Sequence, residues 1–440
     1  MYSDNFAPDA LLSYNPARYL LRHSQLPLLL LLTIHLPLAL AMRQSSAIST
    51  AHALIVLVIG AIVASAGRPL ATACVCMYIA GSEVAWRMTG ASLFWETGKY
   101  GIIAISGLLI LRTARLRPPL LILGYFLLLL PSALLTLQAH QLDIARERIS
   151  FTLSGPLAVL ACAWLFSQIQ LDRAGVWRLM LAFAIPTIMV AAIALVGILT
   201  AERLSFTTES NFQTSGGFGP NQVSATLGLG VVCCFWVVID RGAAWWLRLL
   251  CSGLALWFFA QAIFTFSRGG VLGALLTIVV MALSLVRDSR SRMTMASLLT
   301  VGGLIMWLAV FPALNQVSGG TLAKRFQEVS TSGRDELVGD EIAIFLDHPF
   351  IGVGPGRTRE FIGGGRFYET AVASHTELSR LLAEHGALGA LAIVALVATA
   401  ARAAARAPTS FSRAVVVGVA LWSFLFMLGV LLTSFVVEEP

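Results

Sequence analysis

The sequence predicts an all-α polytopic membrane protein that crosses the bilayer about 12 times. Of its 440 residues, 57% are hydrophobic and only 12% are charged, with a mean hydropathy of +0.81. A soluble protein of this length needs far more charge to cover its surface, so this class is excluded. Apolar runs of roughly 20 residues, long enough to cross about 30 Å of hydrocarbon, recur along the chain. Basic residues are also distributed unequally between alternate loops.

Thirteen apolar runs are candidate spans, and several are short, so we expect 12 or 13 transmembrane helices. If one weak candidate is re-entrant, the count is 12 and the C-terminus returns to the side of the N-terminus. The runs lie near 25–42, 48–66, 69–86, 99–111, 118–137, 151–170, 179–200, 221–239, 247–266, 270–286, 294–311, 386–401 and 414–437.

The basic residues predict the orientation of these spans. If the N-terminus is cytoplasmic, loops on that side hold 16 of the 30 Lys and Arg residues, and the short loops on the other side hold seven. The remaining seven lie in one long loop, which the rule does not count. We therefore expect transmembrane helices over 1–311, a large, partly helical periplasmic loop over 312–385, and C-terminal transmembrane helices over 386–440.

Several functional classes find little support. The six cysteines lie in apolar runs, where free cysteine behaves as a small hydrophobe. There is no internal repeat of the kind that builds many transporters, and Glu83 is the only carboxylate well inside a predicted span. The net charge of +7 fits anchoring arginines and attraction to anionic membrane lipids. It gives no reason to expect a nucleic-acid partner.

Polar residues concentrate at four places on the predicted periplasmic side. The first, residues 201–224, is a Gly-rich segment that carries Arg203 and enters the next span at Asn221. An ordinary connecting loop is its simplest interpretation. The second, residues 265–270, puts Arg268 between two apolar runs with almost no loop. Such an arginine either snorkels to headgroups or faces a polar cavity and meets an anion. The adjacent glycines favour the cavity, because they let a ligand approach the backbone.

The third place is residues 331–337, where Ser332 is a plausible N-cap of a helix. Arg334 would then lie at the positive helix terminus, where an anion partner explains it better than a structural role. We expect this helix to pack against the membrane domain through Leu337, Ile342, Phe345 and Leu346.

The fourth place is a predicted helix in which Ser374 and Glu377 match a capping box and Gly386 suits the C-terminal end. His375 would lie in the first turn, where the helix dipole favours the neutral imidazole that a general base requires. Glu377 either completes the capping box or orients His375. We expect Arg380, on the same helix, to face solvent.

Together, these four places put arginines, a histidine and helix N-termini beside Gly-rich backbone on one side of the membrane. An anionic headgroup such as a pyrophosphate, followed by an acid–base step, would need such a set. Further candidates for substrate binding are Asn221, Arg148, Arg203 and Arg357. For each arginine of this second group, headgroup anchoring or a solvated loop charge is the simpler interpretation.

The order of the motifs resembles that of the O-antigen ligase and polymerase superfamily. The similarity covers roughly 205–390, and the flanking spans match only in architecture. One departure is Thr376, where the family often has Asn directly after the histidine. The motifs are the run 218–230, Ser267-Arg268-Gly269-Gly270, Gly333-Arg334, the segment 348–356 and the segment 375–389.

The resemblance implies a membrane glycosyltransferase of GT-C-like architecture in the bacterial inner membrane, with its catalytic helices in the periplasmic loop. Such a ligase takes a polysaccharide from undecaprenyl pyrophosphate and joins it, with inversion, to a hydroxyl of the lipid A–core oligosaccharide. His375 would be the base toward that hydroxyl, and Arg268 and Arg334 would neutralise the pyrophosphate. No Asp-rich motif is visible, so we expect neither a metal nor another cofactor.

Three other functions remain open at this point. An O-antigen polymerase would use the same donor but transfer onto another donor-linked chain. A protein O-oligosaccharyltransferase would use a Ser or Thr acceptor. A transporter or flippase for an anionic lipid would transfer nothing, although the missing repeat and the long one-sided loop argue against it.

Overall fold

Every regular element in the part of the chain that the structure describes is helical, as predicted. The structure is a computed structural model of the 440-residue chain. It describes residues 26–114, 117–240, 242–285, 289–327, 334–362, 376–407 and 410–427.

Eighteen α-helices follow one another through these described ranges, and a π-helical stretch, Met306–Val310, joins α12 to α13. The helices are α1 (Leu26–Gln44), α2 (Ser46–Ser65), α3 (Pro69–Met88), α4 (Thr97–Thr113), α5 (Leu120–Leu129), α6 (Ala133–Ala139), α7 (Leu142–Phe166), α8 (Arg173–Leu199), α9 (Pro220–Ile239), α10 (Trp245–Phe264), α11 (Arg268–Leu285), α12 (Ser289–Ile305), α13 (Phe311–Val317), α14 (Thr321–Gln327), α15 (Arg334–Asp347), α16 (Thr358–Phe361), α17 (Glu377–Arg406) and α18 (Ser410–Met427).

Ten segments among the described residues are long and apolar enough to cross a membrane. This confirms the polytopic all-α class. Helices α5 and α6 together form one of these segments, and the end of α12 with α13 forms another. Helices α1, α4 and α18 coincide with the three remaining predicted spans, and α4 is only 17 residues long. The total of 12 or 13 spans stays a prediction.

The main core lies around α8 and α9. After Arg178, helix α8 is apolar on nearly all sides, which is typical of a helix surrounded by others, and it packs against α1, α3, α9 and α10. Small residues allow close approach, as is usual between membrane helices. A Cβ on Gly81 of α3 would lie 2.6 Å from the carbonyl oxygen of Phe183 in α8.

A second, smaller core joins α5, α7 and α17. Its buried members include Ile122, Leu129, Leu160, Leu381 and Ala392. Helix α15 packs against the first half of α17. Helix α15 of the long loop is thereby attached to the membrane bundle through α17.

The loops predicted to lie on one side of the membrane do meet at one end of the bundle, which we call the polar end. There Arg43 donates to Thr200 Oγ1 at 2.8 Å, and the Asn211 amide donates to the Thr265 carbonyl at 2.8 Å. At the opposite end Arg112 donates to the Ser65 carbonyl at 3.2 Å. The assignment of the polar end to the periplasm stays a prediction.

Candidate active site

The chain reverses sharply at the polar end between α10 and α11, and this turn positions Arg268. Phe266 has φ of +60°, a conformation that is rare for a bulky residue. Its ring is fully buried and stacks on Phe206 at 5.6 Å between centroids. Its carbonyl accepts a hydrogen bond from Arg325 Nε at 3.1 Å. These contacts hold the turn, so that α11 begins at Arg268.

Two residues far apart in sequence, Asn221 and Arg268, come together beside this turn. Ser267 Oγ donates to Asn221 Oδ1 at 2.7 Å, and Ser224 Oγ donates to the Ser267 carbonyl at 3.0 Å. Helix α11 can approach α9 so closely because Gly270 has no side chain. A Cβ there would lie 2.1 Å from the Ser224 carbonyl oxygen.

Arg268 is therefore a buried cation, 8% exposed, at the N-terminus of an 18-residue helix. A guanidinium and a helix N-terminus both favour an anion. Arg203 is exposed on the loop between α8 and α9. Arg325, 6% exposed, belongs to this corner as well. The sequence analysis missed it, because α14 is a single short helix in the long loop and carries no motif.

The segment after α15 forms a loop, residues 348–357, that docks onto a break in α17. It forms no regular element before α16. The amides of Val353 and Gly354 donate to the carbonyls of Ala383 and Glu384, each at 3.0 Å, and the Ala387 amide donates to the Pro349 carbonyl at 2.7 Å. Carbonyls that a broken helix leaves without intrahelical partners are thereby satisfied.

Glycines make this docking possible. Gly386 has φ of +60° and ψ of −140° inside α17, so the first half of the helix ends there, as the sequence predicts. A Cβ on Gly386 would lie 2.6 Å from the carbonyl carbon of Phe350, and one on Gly352 would lie 2.5 Å from the Ala383 carbonyl oxygen. Both contacts are with backbone, which cannot easily move away.

The predicted start of α17 is wrong. The helix begins at Glu377, and its N-cap, Thr376, makes no side-chain capping bond. Glu377 is therefore the first helical residue rather than the third of a capping box from Ser374, and His375 precedes the helix instead of lying in its first turn. The Glu377 carboxylate accepts from Arg380 Nε at 3.1 Å.

The prediction that Arg380 faces solvent is also wrong, because its side chain is only 15% exposed. It lies among carboxylates on its own helix and on α15, near enough to interact electrostatically with Glu377, Glu384 and Glu341. Glu384 is 1% exposed and accepts from the Gly356 amide at 2.8 Å. The sequence analysis missed Glu341 and Glu384, because a single carboxylate within a helix carries no signal of its environment.

Helix α15 presents a different face from the predicted one. Glu341 and Ile344 are buried, whereas Ile342 and Leu346 are 42% and 69% exposed. The Glu341 carboxylate accepts from Ser379 Oγ at 2.5 Å and from Thr376 Oγ1 at 3.2 Å. A polar contact with α17, rather than the predicted apolar stripe, sets the orientation of α15.

Arg148 and Arg357 both bind Glu360, on α16. Arg357 Nε donates to Glu360 Oε2 at 3.0 Å, and Arg148 pairs with Glu360 Oε1. His140 Nε2 lies 2.7 Å from the same Oε1. Burial alone would raise the pKa of the Glu360 carboxyl, but hydrogen bonds from Arg148, Arg357 and His140 hold that pKa below its usual value. The charge of both arginines is thus already balanced in part.

A third cluster of polar side chains lies between the Arg268 corner and the cluster around Glu360. Arg87 donates to Gln222 Oε1 at 3.0 Å and to Glu83 Oε1 at 2.5 Å, and Gln222 is the neighbour of Asn221. Lys99, which follows on α4, interacts electrostatically with Glu83 and also with Glu377 of α17. A polar belt of charged and amide side chains therefore extends across the polar end from the Arg268 corner toward α17.

Two predicted catalytic residues lie wholly or partly outside the part of the chain that the structure describes. His375 lies outside the described residues, and Arg334 is the first residue of α15, with a side chain outside the described part. Their roles stay predictions. Among the described residues, no three His, Cys, Asp or Glu side chains are placed to hold a metal ion. Metal independence also stays a prediction.

Comparison with known proteins supports the resemblance seen in the motifs. Residues 253–394 match a family model described as O-antigen ligase. This segment runs from α10 into the second half of α17 and includes Arg268, Arg325, Glu360 and Glu384. Members of the family are membrane glycosyltransferase-like ligases and polymerases. No curated protein and no solved structure matches the chain. Residues 253–394, about a third of the chain, are therefore similar to the O-antigen ligase family.

Proposed function

We propose that the protein is an O-antigen ligase, which transfers a polysaccharide from undecaprenyl pyrophosphate to a hydroxyl of the lipid A–core oligosaccharide on the periplasmic side of the bacterial inner membrane. One observation supports this most strongly. The family match spans Arg268 to α17, and within it a buried arginine begins a helix at the polar end, beside Gly270.

The reaction has three requirements: a base for the acceptor hydroxyl, cations for the leaving group, and a fixed geometry between them. In our proposal His375 removes the hydroxyl proton, and the oxygen attacks the anomeric carbon from the face opposite the leaving group. As this bond forms, the bond from the anomeric carbon to the phosphate oxygen breaks, and the configuration inverts. The pyrophosphate leaves with its bonding electron pair, and Arg268 and Arg334 stabilise the charge that develops.

The described structure supports this scheme at both ends of the matched segment. Arg268 is buried and its turn is fixed by Arg325 and Ser267. At the other end, Thr376 is 5% exposed and bonded to Glu341, and His375 immediately precedes it in sequence. Preorganised groups of this kind lower the cost of reorganisation during the reaction.

Purified protein with polysaccharide-linked undecaprenyl pyrophosphate and lipid A–core tests the proposal. The ligase should form a ladder of capped lipopolysaccharide. Chain lengthening in the absence of lipid A–core would favour an O-antigen polymerase, and transfer to a Ser or Thr side chain would favour a protein O-oligosaccharyltransferase. Absence of any covalent product, together with lipid flipping, would favour a transporter.

The same assay tests metal independence. We expect the rate with wild-type protein to be unchanged after treatment with a chelator, because arginines rather than a divalent cation neutralise the pyrophosphate in this scheme. Loss of transfer in chelator, restored by a divalent cation, would contradict this prediction.

A further inference from the structure

The chain turns sharply after α3 and leaves a pocket at the polar end that the proposed reaction does not use. The Ala91 amide donates to the Trp86 carbonyl at 2.9 Å and the Gly90 amide to the Arg87 carbonyl at 3.2 Å. With Gly90 at φ of +64°, this is a Schellman motif. The turn faces the start of α4 and encloses a cavity of about 220 Å³.

An aromatic side chain and a balanced ion pair line this cavity. The Arg87 guanidinium lies 4.3 Å from the centroid of the Trp95 ring and also binds Glu83. A Cβ on Gly98 would lie 2.7 Å from Cδ of Glu83, so only glycine there leaves room for the carboxylate. Trp95 is still 47% exposed. The pocket thus offers the exposed part of an aromatic ring beside fixed hydrogen-bonding groups.

Trp95 is also held from the side of the candidate active site. Its ring packs against Phe218 at 6.2 Å between centroids, and Arg87 binds both the Trp95 carbonyl at 2.9 Å and Gln222 at 3.0 Å. An aromatic residue that only anchored the protein in the headgroup layer would not require these inward contacts. The pocket is therefore continuous with the Asn221 side of the polar belt.

An apolar groove adjoins the pocket. It has a volume of about 330 Å³, lies between α2 and α4, and shares Phe94 and Thr97 with the pocket. Its other lining residues include Leu57, Ile105 and Leu108. Small-molecule sites commonly occupy roughly 300–1,000 Å³ and combine apolar walls with a few fixed polar groups. The apolar groove matches the hydrocarbon chain of an amphiphile, and the pocket with its polar groups matches the head group.

We infer that this composite site binds a membrane glycolipid, with an uncharged sugar ring against Trp95 and a hydrocarbon chain in the groove beside Phe94. A pyranose has an apolar C–H face that packs on an aromatic ring and hydroxyls that bond to carboxylate, guanidinium and amide groups. Glu83 and Arg87 balance each other, so an uncharged ring fits better than a second pyrophosphate. The inference deepens the proposed function and rests on it for the source of the glycolipid, which is the acceptor, because in the donor a charged pyrophosphate separates the sugar from the hydrocarbon chain.

Binding of a tritiated, photoactivatable alkyl glucoside to the full chain in phospholipid nanodiscs tests the site without any transfer step. We expect label on peptides from α2 and from residues 94–108, competed by unlabelled alkyl maltoside but not by an alkyl phosphocholine of equal chain length. Trp95→Leu should weaken binding roughly tenfold, which corresponds to about 1.4 kcal/mol, whereas Trp95→Phe keeps a ring and should retain binding. Trp245→Leu, which alters an exposed tryptophan on α10, is the matched control.

Competition by the acceptor glycolipid supports the site and its source, whereas competition by the donor-linked glycolipid alone would overturn the assignment to the acceptor. Equal labelling of wild type and Trp95→Leu, equal competition by the phosphocholine, or label confined to other helices would overturn the inference. Since the label is mapped on wild-type protein, a Trp95→Leu variant that fails to fold does not prevent the test. Failure of polysaccharide transfer alone would leave this result unaffected.

Discussion

At the scale of single residues, the arginines of the polar end differ in what surrounds their side chains. Arg268 is buried at the start of a helix, whereas Arg148 and Arg357 share the carboxylate of Glu360. We propose that Arg268 acts on the substrate, because a buried guanidinium at a helix N-terminus favours an anion. The role of Arg148 and Arg357 in the described structure is to attach α16 to α6 and α7.

The lowered pKa of Glu360 predicts a pH dependence of this attachment. A carboxyl whose pKa is lower in the folded state stabilises the fold fully above its unfolded value, about 4.5, and this contribution is lost as the pH falls through the folded pKa. At pH 7, Glu360→Gln should lower the free energy of unfolding by about 1–3 kcal/mol. The difference from wild type should shrink below pH 4.5, as measured by thermal unfolding.

Arg359→Ala is the matched control for this cluster, because Arg359 is the exposed neighbour on the same short helix. It should unfold like wild type at every pH. A difference between wild type and Glu360→Gln that grew as the pH fell would contradict the assigned role of Glu360.

Residue environments were only partly predictable. The sequence predicted the chain reversal at Arg268, the start of a helix at Asn221 and the helix end at Gly386, because each lies in a local pattern of turn or helix-end residues, whereas the substrate roles of Arg268 and Asn221 stay predictions. It could not identify the partners of Glu360, since Arg148 lies 212 residues away and the contact depends on packing between distant helices. Arg380 was misjudged for the same reason, because its environment includes residues of other helices, such as Glu341 and Tyr125.

At the scale of elements, the break in α17 organises the candidate site. The loop 348–357 supplies amides to the carbonyls on one side of the break and a carbonyl to the amide of Ala387 on the other. This arrangement fixes the first half of α17, which follows His375 in sequence, against the bundle. The sequence predicted the end of that half at Gly386 but not the docking loop.

Gly386→Ala should therefore destabilise the protein. The backbone conformation at Gly386 is accessible almost only to glycine, and forcing another residue into it costs about 1–3 kcal/mol, in addition to the contact with Phe350. We expect a lower midpoint of thermal unfolding. Gly302→Ala is the control, since a Cβ there meets nothing within 4 Å and alanine is the better helix former. Equal midpoints for the two variants would contradict this account of the break.

The orientation of α15 shows where element-level prediction fails. A stripe of apolar residues normally indicates the buried face, yet Ile342 and Leu346 are exposed and Glu341 is buried. The Glu341 carboxylate finds hydroxyl partners on α17, which satisfy a buried charge that would otherwise be costly. Partners from another helix cannot be deduced from the periodicity of α15 alone.

At the scale of the whole molecule, composition determines the fold class and loop charge predicts the sidedness. Thiol labelling in a cysteine-free background tests the sidedness. Glu209→Cys, at the polar end, should react with a membrane-impermeant maleimide in intact cells with a permeabilised outer membrane. Gln170→Cys, at the opposite end, should react only after lysis. Both positions are exposed, and the reverse pattern of labelling would place the polar end in the cytoplasm.

In the proposed mechanism His375 acts in the chemical step, and Arg268 holds the leaving group. Measuring donor binding and polysaccharide transfer on the same variants separates these two roles. His375→Ala should bind undecaprenyl-pyrophosphate-linked polysaccharide like wild type but lose transfer by roughly 10²–10⁴-fold, the usual contribution of a general base. Arg268→Ala should lose both donor affinity and transfer, whereas Arg112→Ala, at the opposite end, should keep both. If His375→Ala transferred polysaccharide at the wild-type rate, or if Arg268→Ala bound and transferred normally, the account would be wrong.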